Sequence, residues 1–204
     1  MKTSYHHGDL YNALIRSGAH LIATTGQSSL TLRKVASLSS VSHASVYSHF
    51  SSKEDLIQAI AAYSFSHLEQ LVQEAGRKYP DDPVQCLLET AWSYVSYAYE
   101  QPDMFHCIFS GAPEREKSSP EYVERSRRAF AFIRDRVQES MDRDLCLFSD
   151  ARLGASSLFS TVHGFATLNI EQMIPGSIYE DSSHREVLFT ILSSHFTVDI
   201  RPYI

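Results

Sequence analysis

Two helix starts stand close together between Thr31 and Phe50, and they constrain the fold more than any other part of the chain. Thr31 precedes Leu32–Ser39, whose Leu32, Val35 and Ala36 share one face. Ser39-Ser40 breaks the pattern and Val41 turns inward. Ser42 then caps a second short segment, His43–His49, closed by Phe50. Two short helices joined by a turn this tight form a helix-turn-helix, in which the second helix can lie in a DNA major groove. A groove about 12 Å wide admits one helix with short polar side chains on its outer face. Ser42, His43, Ser45 and Ser48 supply that face, and Val41, Val46 and Phe50 anchor the other.

The flanking sequence is helical on the same grounds. Leu10, Leu14, Leu21 and Ile22 give an amphipathic helix from Asp9 to about Thr25, stopped by Gly26. Ser52 with Asp55 three residues on marks the start of a long helix from about Ser52 to Lys78. Further helices are expected over Val84–Glu100, Met104–Ser110, Glu121 to about Arg143, Ser149–Met173 and Ser183–Thr197, with a polar loop over Gly111–Pro120. Only 8 Gly and 7 Pro interrupt 204 residues, and no strand pattern of useful length occurs. The expected fold is all-α: a three-helix N-terminal head over 6–66, its helix-turn-helix at about 31–50, joined by a long helix to a larger helical body over 76–204.

Charge and chemistry narrow the function. The net charge is −6, yet residues 1–58 carry Lys2, Arg16, Arg33, Lys34 and Lys53 against only Asp9, Glu54 and Asp55. A mildly basic head on an acidic body is compatible with a local DNA surface. No catalytic set is recognisable: Gly-x-Ser-x-Gly, a phosphate loop and His-Glu-x-x-His are all missing, and His106 and Cys107, adjacent on a helix, point about 100° apart. An enzyme is therefore a remote alternative, and neither a cofactor nor a metal site is expected. Cys86, Cys107 and Cys146 form no Cys-x-x-Cys pair, and the segment Met1–Asp9 lacks an apolar signal core. With no apolar run of membrane-spanning length, a cytoplasmic protein without membrane contact is expected. A body that senses metal or redox state through these cysteines and histidines is the second reading.

The run LTLRKVASLSSVSHASVYSHFSSKEDLIQAIA, with its capped helices, Tyr47-x-His49-Phe50 and Lys53-Glu54-x-Leu56, closely resembles the signature of the TetR/AcrR family of transcriptional regulators. YHHGDL (Tyr5–Leu10) and VHGFATL (Val162–Leu168) resemble the branch whose C-terminal region is called the WHG domain. Ser40 stands where the family usually has Gly, and Phe159 where the branch usually has Trp. The resemblance implies DNA contacts position by position. Arg33 reaches a base edge or phosphate, and His43, Ala44 and Ser45 read bases. Tyr47, His49 and Lys53 touch phosphate, with Thr31, Ser42 and Ser48 lending hydroxyls. Three have a plainer alternative: Arg33 as a solvated arginine, Tyr47 as a core-edge aromatic and His49 as filler at the junction with the long helix, while Lys34 reads as a solvent-exposed lysine rather than a specific contact.

It further implies a homodimer through the last two helices, bound to a near-palindromic double-stranded DNA operator, and a small-molecule effector whose binding tilts the long helix. Repression is the mode it implies. Trp92, Val95, Tyr99, Phe105, Phe109, Phe130, Phe159 and His163 are the candidate walls of an apolar or aromatic effector site. The same stripe is also what ordinary core looks like. Leu153, Leu158, Val162, Phe165 and Leu168, with Val187, Leu188, Ile191, Leu192 and Phe196, offer faces for a second copy. Gly164 is expected to allow close helix approach, with His163 bonding across the contact.

Overall fold

The computed structural model describes residues 7–110 and 120–203. Its helices are α1 (His7–Thr25), α2 (Leu32–Leu38), α3 (His43–Tyr47), α4 (Lys53–Arg77), α5 (Pro83–Glu100), α6 (Pro102–Ser110), α7 (Pro120–Asp142), α8 (Ala151–Ile170) and α9 (His184–Ser193). Among the described residues the only β pairing is an isolated bridge between Cys146 and Phe196, so the fold is all-α. Tyr5 and His6 of the first motif lie outside the described residues. So does the expected loop from Gly111, up to Pro120, which opens α7.

Side-chain caps set where the helices begin. The Thr31 hydroxyl accepts the Lys34 N–H at 3.2 Å, and Ser42 accepts the Ser45 N–H at 3.1 Å. At α4 the bonds are reciprocal: Ser52 Oγ accepts from Asp55 N at 3.0 Å, and the Asp55 carboxylate accepts from Ser52 N at 3.2 Å. Ser51 also donates to that carboxylate and holds its pKa below the ordinary value. Asp150 caps α8, and Ser183 with Glu186 forms a full capping box at α9.

Helix ends follow a different chemistry. At the end of α2, Val41 N–H donates to Ala36 O and Ser40 N–H to Ser37 O, with Ser40 at φ 55°. This is a Schellman closure, whose left-handed residue is ordinarily Gly. Asp144 after α7 (φ 55°) and Gln172 after α8 (φ 56°) repeat it, again without Gly. Those closures end α7 at Asp142 and α8 at Ile170, short of the expected Arg143 and Met173.

The chain divides into two compact units. The head comprises the residues to His67 together with those of Gln101–Val123; the body comprises Leu68–Glu100 and Glu124 onward. The helix α4 contributes to both. In the head, Leu14 and Ile22 of α1, Val35 of α2, Val46 of α3 and Leu56 and Ile60 of α4 are fully buried together with Leu30. The expectation that every residue from 76 on belongs to the body does not hold for α6. This helix packs on α1, its Phe105 and Ile108 are buried, and the Cys107 thiol donates to Ile57 O at 3.8 Å.

In the body, α5 is the central helix, its Leu88, Val95 and Ala98 without solvent contact and its flanks covered by α8 and α9. Arg185 of α9 donates to both Glu89 carboxylate oxygens at 2.7 and 3.0 Å and lies over the Phe189 ring at 4.4 Å. The bidentate geometry and the ring fix α9 on α5 more firmly than an exposed pair would. Glu69, buried on the last turns of α4, faces Arg125 of α7 at 3.4 Å. No described helix is long and apolar enough to cross a membrane.

Candidate nucleic-acid interface and effector site

The outer face of α3 is presented by its short length and by the burial of Val46 alone on its inner side. His43 and Ala44 are exposed, and Tyr47 is 60% exposed. That exposure removes Tyr47 from the head core. Ser45 Oγ lies 2.8 Å from Ser42 Oγ, and Ser48 Oγ donates to Ser45 O at 2.8 Å. These serines therefore hold the helix start together while remaining on its polar side.

His49 sits differently. Its half-buried ring lies 6.0 Å from the Tyr11 ring and 6.5 Å from that of Phe50, with Tyr11 and Phe50 stacked at 5.2 Å. The imidazole fills the junction where α1 meets the segment leading into α4. Arg33 is exposed on α2. The 3-10 turn Gln27–Ser29 gathers two ammonium groups, Lys34 Nζ on Ser29 O at 2.8 Å and Lys53 Nζ on Ser28 O at 3.4 Å. Sequence reasoning passed over Lys34, because its partner carbonyl belongs to a turn that carries no side-chain signal.

The eight candidate effector residues do not form one wall. Tyr94, which spacing alone did not single out, shares a hydrogen bond of 2.8 Å with His163 Nδ1. Phe159 lies against both, 5.9 Å from Tyr94 edge-on and 5.7 Å from His163 face-on. Desolvation lowers the His163 pKa, because a charge there would lose its water. Tyr99 is elsewhere on α5, its ring edge-on to His184 at 5.1 Å. Trp92 lies 6.0 Å from the Arg185 guanidinium, and Val95 is plain core. Phe130 lies exposed on α7. Phe105 and Phe109 belong to the head, paired at 4.8 Å.

Gly164 departs from expectation. A Cβ placed there meets nothing within 4 Å, so the described chain makes no close approach to it. The tight glycine of α8 is instead Gly154, where a Cβ would lie 2.7 Å from the Phe148 ring and 2.8 Å from Val137 Cγ1. His163 does bond across a helix contact, but to α5 of its own chain. The expected interface stripe is likewise divided. Leu158, Val162, Phe165, Leu188, Leu192 and Phe196 are internal, while Leu153, Leu168 and Ile191 are exposed.

All three cysteines are buried. Burial pushes the Cys107 thiol up to about 11 and raises that of Cys86, which disfavours the thiolate that redox chemistry needs. Among the described residues, no three His, Cys, Asp or Glu side chains are placed to share a metal ion.

The sequence matches the bacterial regulatory proteins of the tetR family over residues 14–60, and the tetracyclin repressor-like C-terminal domain over residues 87–189. No curated protein matches it significantly. Among solved structures, a protein of unknown function from Rhodococcus sp. RHA1 is 24% identical and superposes with a TM-score of 0.77, over 93% of this chain and 95% of the other. A TetR family transcription regulator from Marinobacter aquaeolei VT8 is 17% identical, with a TM-score of 0.66 over 91% and 95%. AibR, solved with isovaleryl coenzyme A and operator DNA, is 18% identical, with a TM-score of 0.67 over 91% and 97%.

Proposed function

The chain belongs to the tetR family of bacterial regulatory proteins, and from that membership we propose that it is an effector-released repressor acting as a homodimer on a near-palindromic operator. The family's members are DNA-binding transcription regulators. The observation that carries the reading is the outer face of α3, where His43, Ala44 and Tyr47 are exposed beside serine hydroxyls tied to the helix start. A reading head to about residue 66 presents this helix to the major groove. Base edges are met by Arg33, His43, Ala44 and Ser45, and phosphates by Thr31, Ser42, Tyr47, Ser48, His49, Lys34 and Lys53.

Two heads related by a two-fold axis read half-sites about 34 Å apart, or a multiple of that spacing. The second copy docks on α8 and α9, where Leu153, Leu168 and Ile191 are apolar yet exposed and Gly164 leaves room for a close neighbour. The body from residue 76, without α6, binds the effector. AibR was solved with both a small molecule and operator DNA, and its fold is the one seen here. A ligand releases DNA only by binding the DNA-incompetent state more tightly.

Selection of bound fragments from a random duplex pool, followed by footprinting, tests this. A protected near-palindrome occupied by an even number of chains, weakened by Arg33→Ala, is the expected result. Enrichment of no sequence at all would sink the reading.

A further inference from the structure

The helix α3 lacks the side chains that ordinarily read bases through paired hydrogen bonds. Between Val41 and Phe50 there is no Arg, Lys, Asn, Gln, Asp or Glu. Guanine is commonly recognised by Arg or Lys, adenine by Asn or Gln, and cytosine by Glu or Asp. The one arginine of the motif, Arg33, stands on α2. A helix-turn-helix meets base edges with the first residues of its second helix. Here those are His43 and Ala44, both exposed, and the half-buried Ser45.

The three differ in what they can tell apart. The Ser45 hydroxyl already shares a hydrogen bond of 2.8 Å with Ser42 Oγ, and a hydroxyl both donates and accepts, so it suits any base. An imidazole N–H of His43 that donates to a purine N7 finds that acceptor on adenine and guanine alike. The Ala44 methyl makes no hydrogen bond and has one complement in the major groove. That is the C5-methyl group of thymine, which no other unmodified DNA base carries. The shortness of Ala44 matters as well. A one-carbon side chain lets the start of α3 come down to the groove floor, where an arginine or glutamine would hold it off. Two methyl groups brought together there both leave water, which favours the contact. We propose that Ala44 is the residue of α3 that fixes base identity, by seating its methyl against the C5-methyl of one thymine in each half-site. The assignment rests on the operator-binding reading above and adds to it the base that α3 selects.

Uracil pairs as thymine does and lacks only that methyl. The test therefore replaces dT by dU in the selected operator, one position at a time and in both half-sites, and measures binding of the full chain. One position per half-site responds, with affinity lowered about fourfold for each lost methyl contact and about fifteenfold over the two half-sites. At that position 5-methyl-dC recovers part of the affinity that dC loses. Ala44→Gly removes the protein's methyl and Ala44→Ser sets a hydroxyl against the thymine; both lose the difference between dT and dU. Because each protein is compared with itself, a less stable helix start does not enter that ratio. Equal affinity for dT and dU at every position overturns the assignment and leaves the regulator reading standing. So does a selected half-site without thymine, or a methyl effect that persists in both variants. Should the parent select no sequence at all, the regulator reading falls and the assignment with it.

Discussion

The Tyr94 hydroxyl on α5 stands 2.8 Å from Nδ1 of His163 on α8, with Phe159 covering the pair. The bond joins the two helices with the most extensive contact in the body, and it places a titratable ring where desolvation disfavours its charged form. In the unfolded chain the ring titrates near 6.5, and in the folded chain below that. Unfolded chains therefore bind more protons as pH falls below about 6.5, and stability declines down to the folded pKa. Melting temperature should drop between pH 7.5 and pH 5.5, and His163→Phe should flatten that drop. An unchanged pH slope in the variant would show that His163 does not contribute to it.

Ser40 adopts φ 55° at the closure of α2, a conformation that costs an L-residue about 1–2 kcal/mol and costs Gly little. Part of that gain is offset by the greater freedom of Gly in the unfolded chain. Ser40→Gly should therefore stabilise the protein by about 0.5–1 kcal/mol in urea melts, with operator affinity unchanged because the turn geometry is already the required one. A destabilised variant would mean that the Ser40 side chain holds the turn.

Two glycines of α8 should respond oppositely. Gly154→Ala gains helix propensity worth about 1 kcal/mol but drives a methyl into Phe148 and Val137 at once, an overpacking cost of about 1–3 kcal/mol. Gly164→Ala meets open space and keeps the propensity gain. Chemical denaturation of the two variants at low protein concentration should rank Gly164→Ala above the parent and Gly154→Ala below it.

Dimer formation through α8 and α9 makes a separate prediction. Leu153 is 69% exposed, so a charge there costs the single chain almost nothing. Buried against a second copy, an unpaired carboxylate is strongly unfavourable. Leu153→Glu should sediment as a monomer, keep the parent's helical content, melt with no dependence on protein concentration and lose operator binding. A Leu153→Glu protein that remains dimeric would place the interface elsewhere.

Helix starts were legible because a cap is local: Thr31, Ser42 and Ser52 with Asp55 each act within one turn. Helix ends were less so. Ser40, Asp144 and Gln172 close three helices in a conformation usually signalled by Gly, and nothing in their chemistry announces it. The aromatic stripe shows the larger limit. Spacing along a helix says which residues share a face but not which helix covers it. Thus Phe105 and Phe109 paired in the head, Trp92 went to Arg185 and Tyr99 to His184, while Phe159 and His163 met in the body. Partners such as Tyr94 for His163 and Glu89 for Arg185 depend on tertiary packing that no local signal encodes.

On the proposed DNA surface positioning and reading fall to different residues, and salt distinguishes the two. Lys34 and Lys53 hold their ammonium groups at the carbonyls of Ser29 and Ser28, neighbours in one 3-10 turn. Each phosphate neutralised releases condensed counterions, which steepens the fall of log affinity with log salt by about 0.9. Lys34→Ala and Lys53→Ala should each weaken binding to every duplex alike and reduce the salt slope by about one. His43→Ala, at the exposed start of α3, should leave the slope intact and relax the preference at one base pair of each half-site. The measurement is a salt titration of operator and scrambled duplex for all three variants. Should His43→Ala weaken both duplexes equally, α3 would be a phosphate-binding element and the reading of sequence would have to come from Arg33.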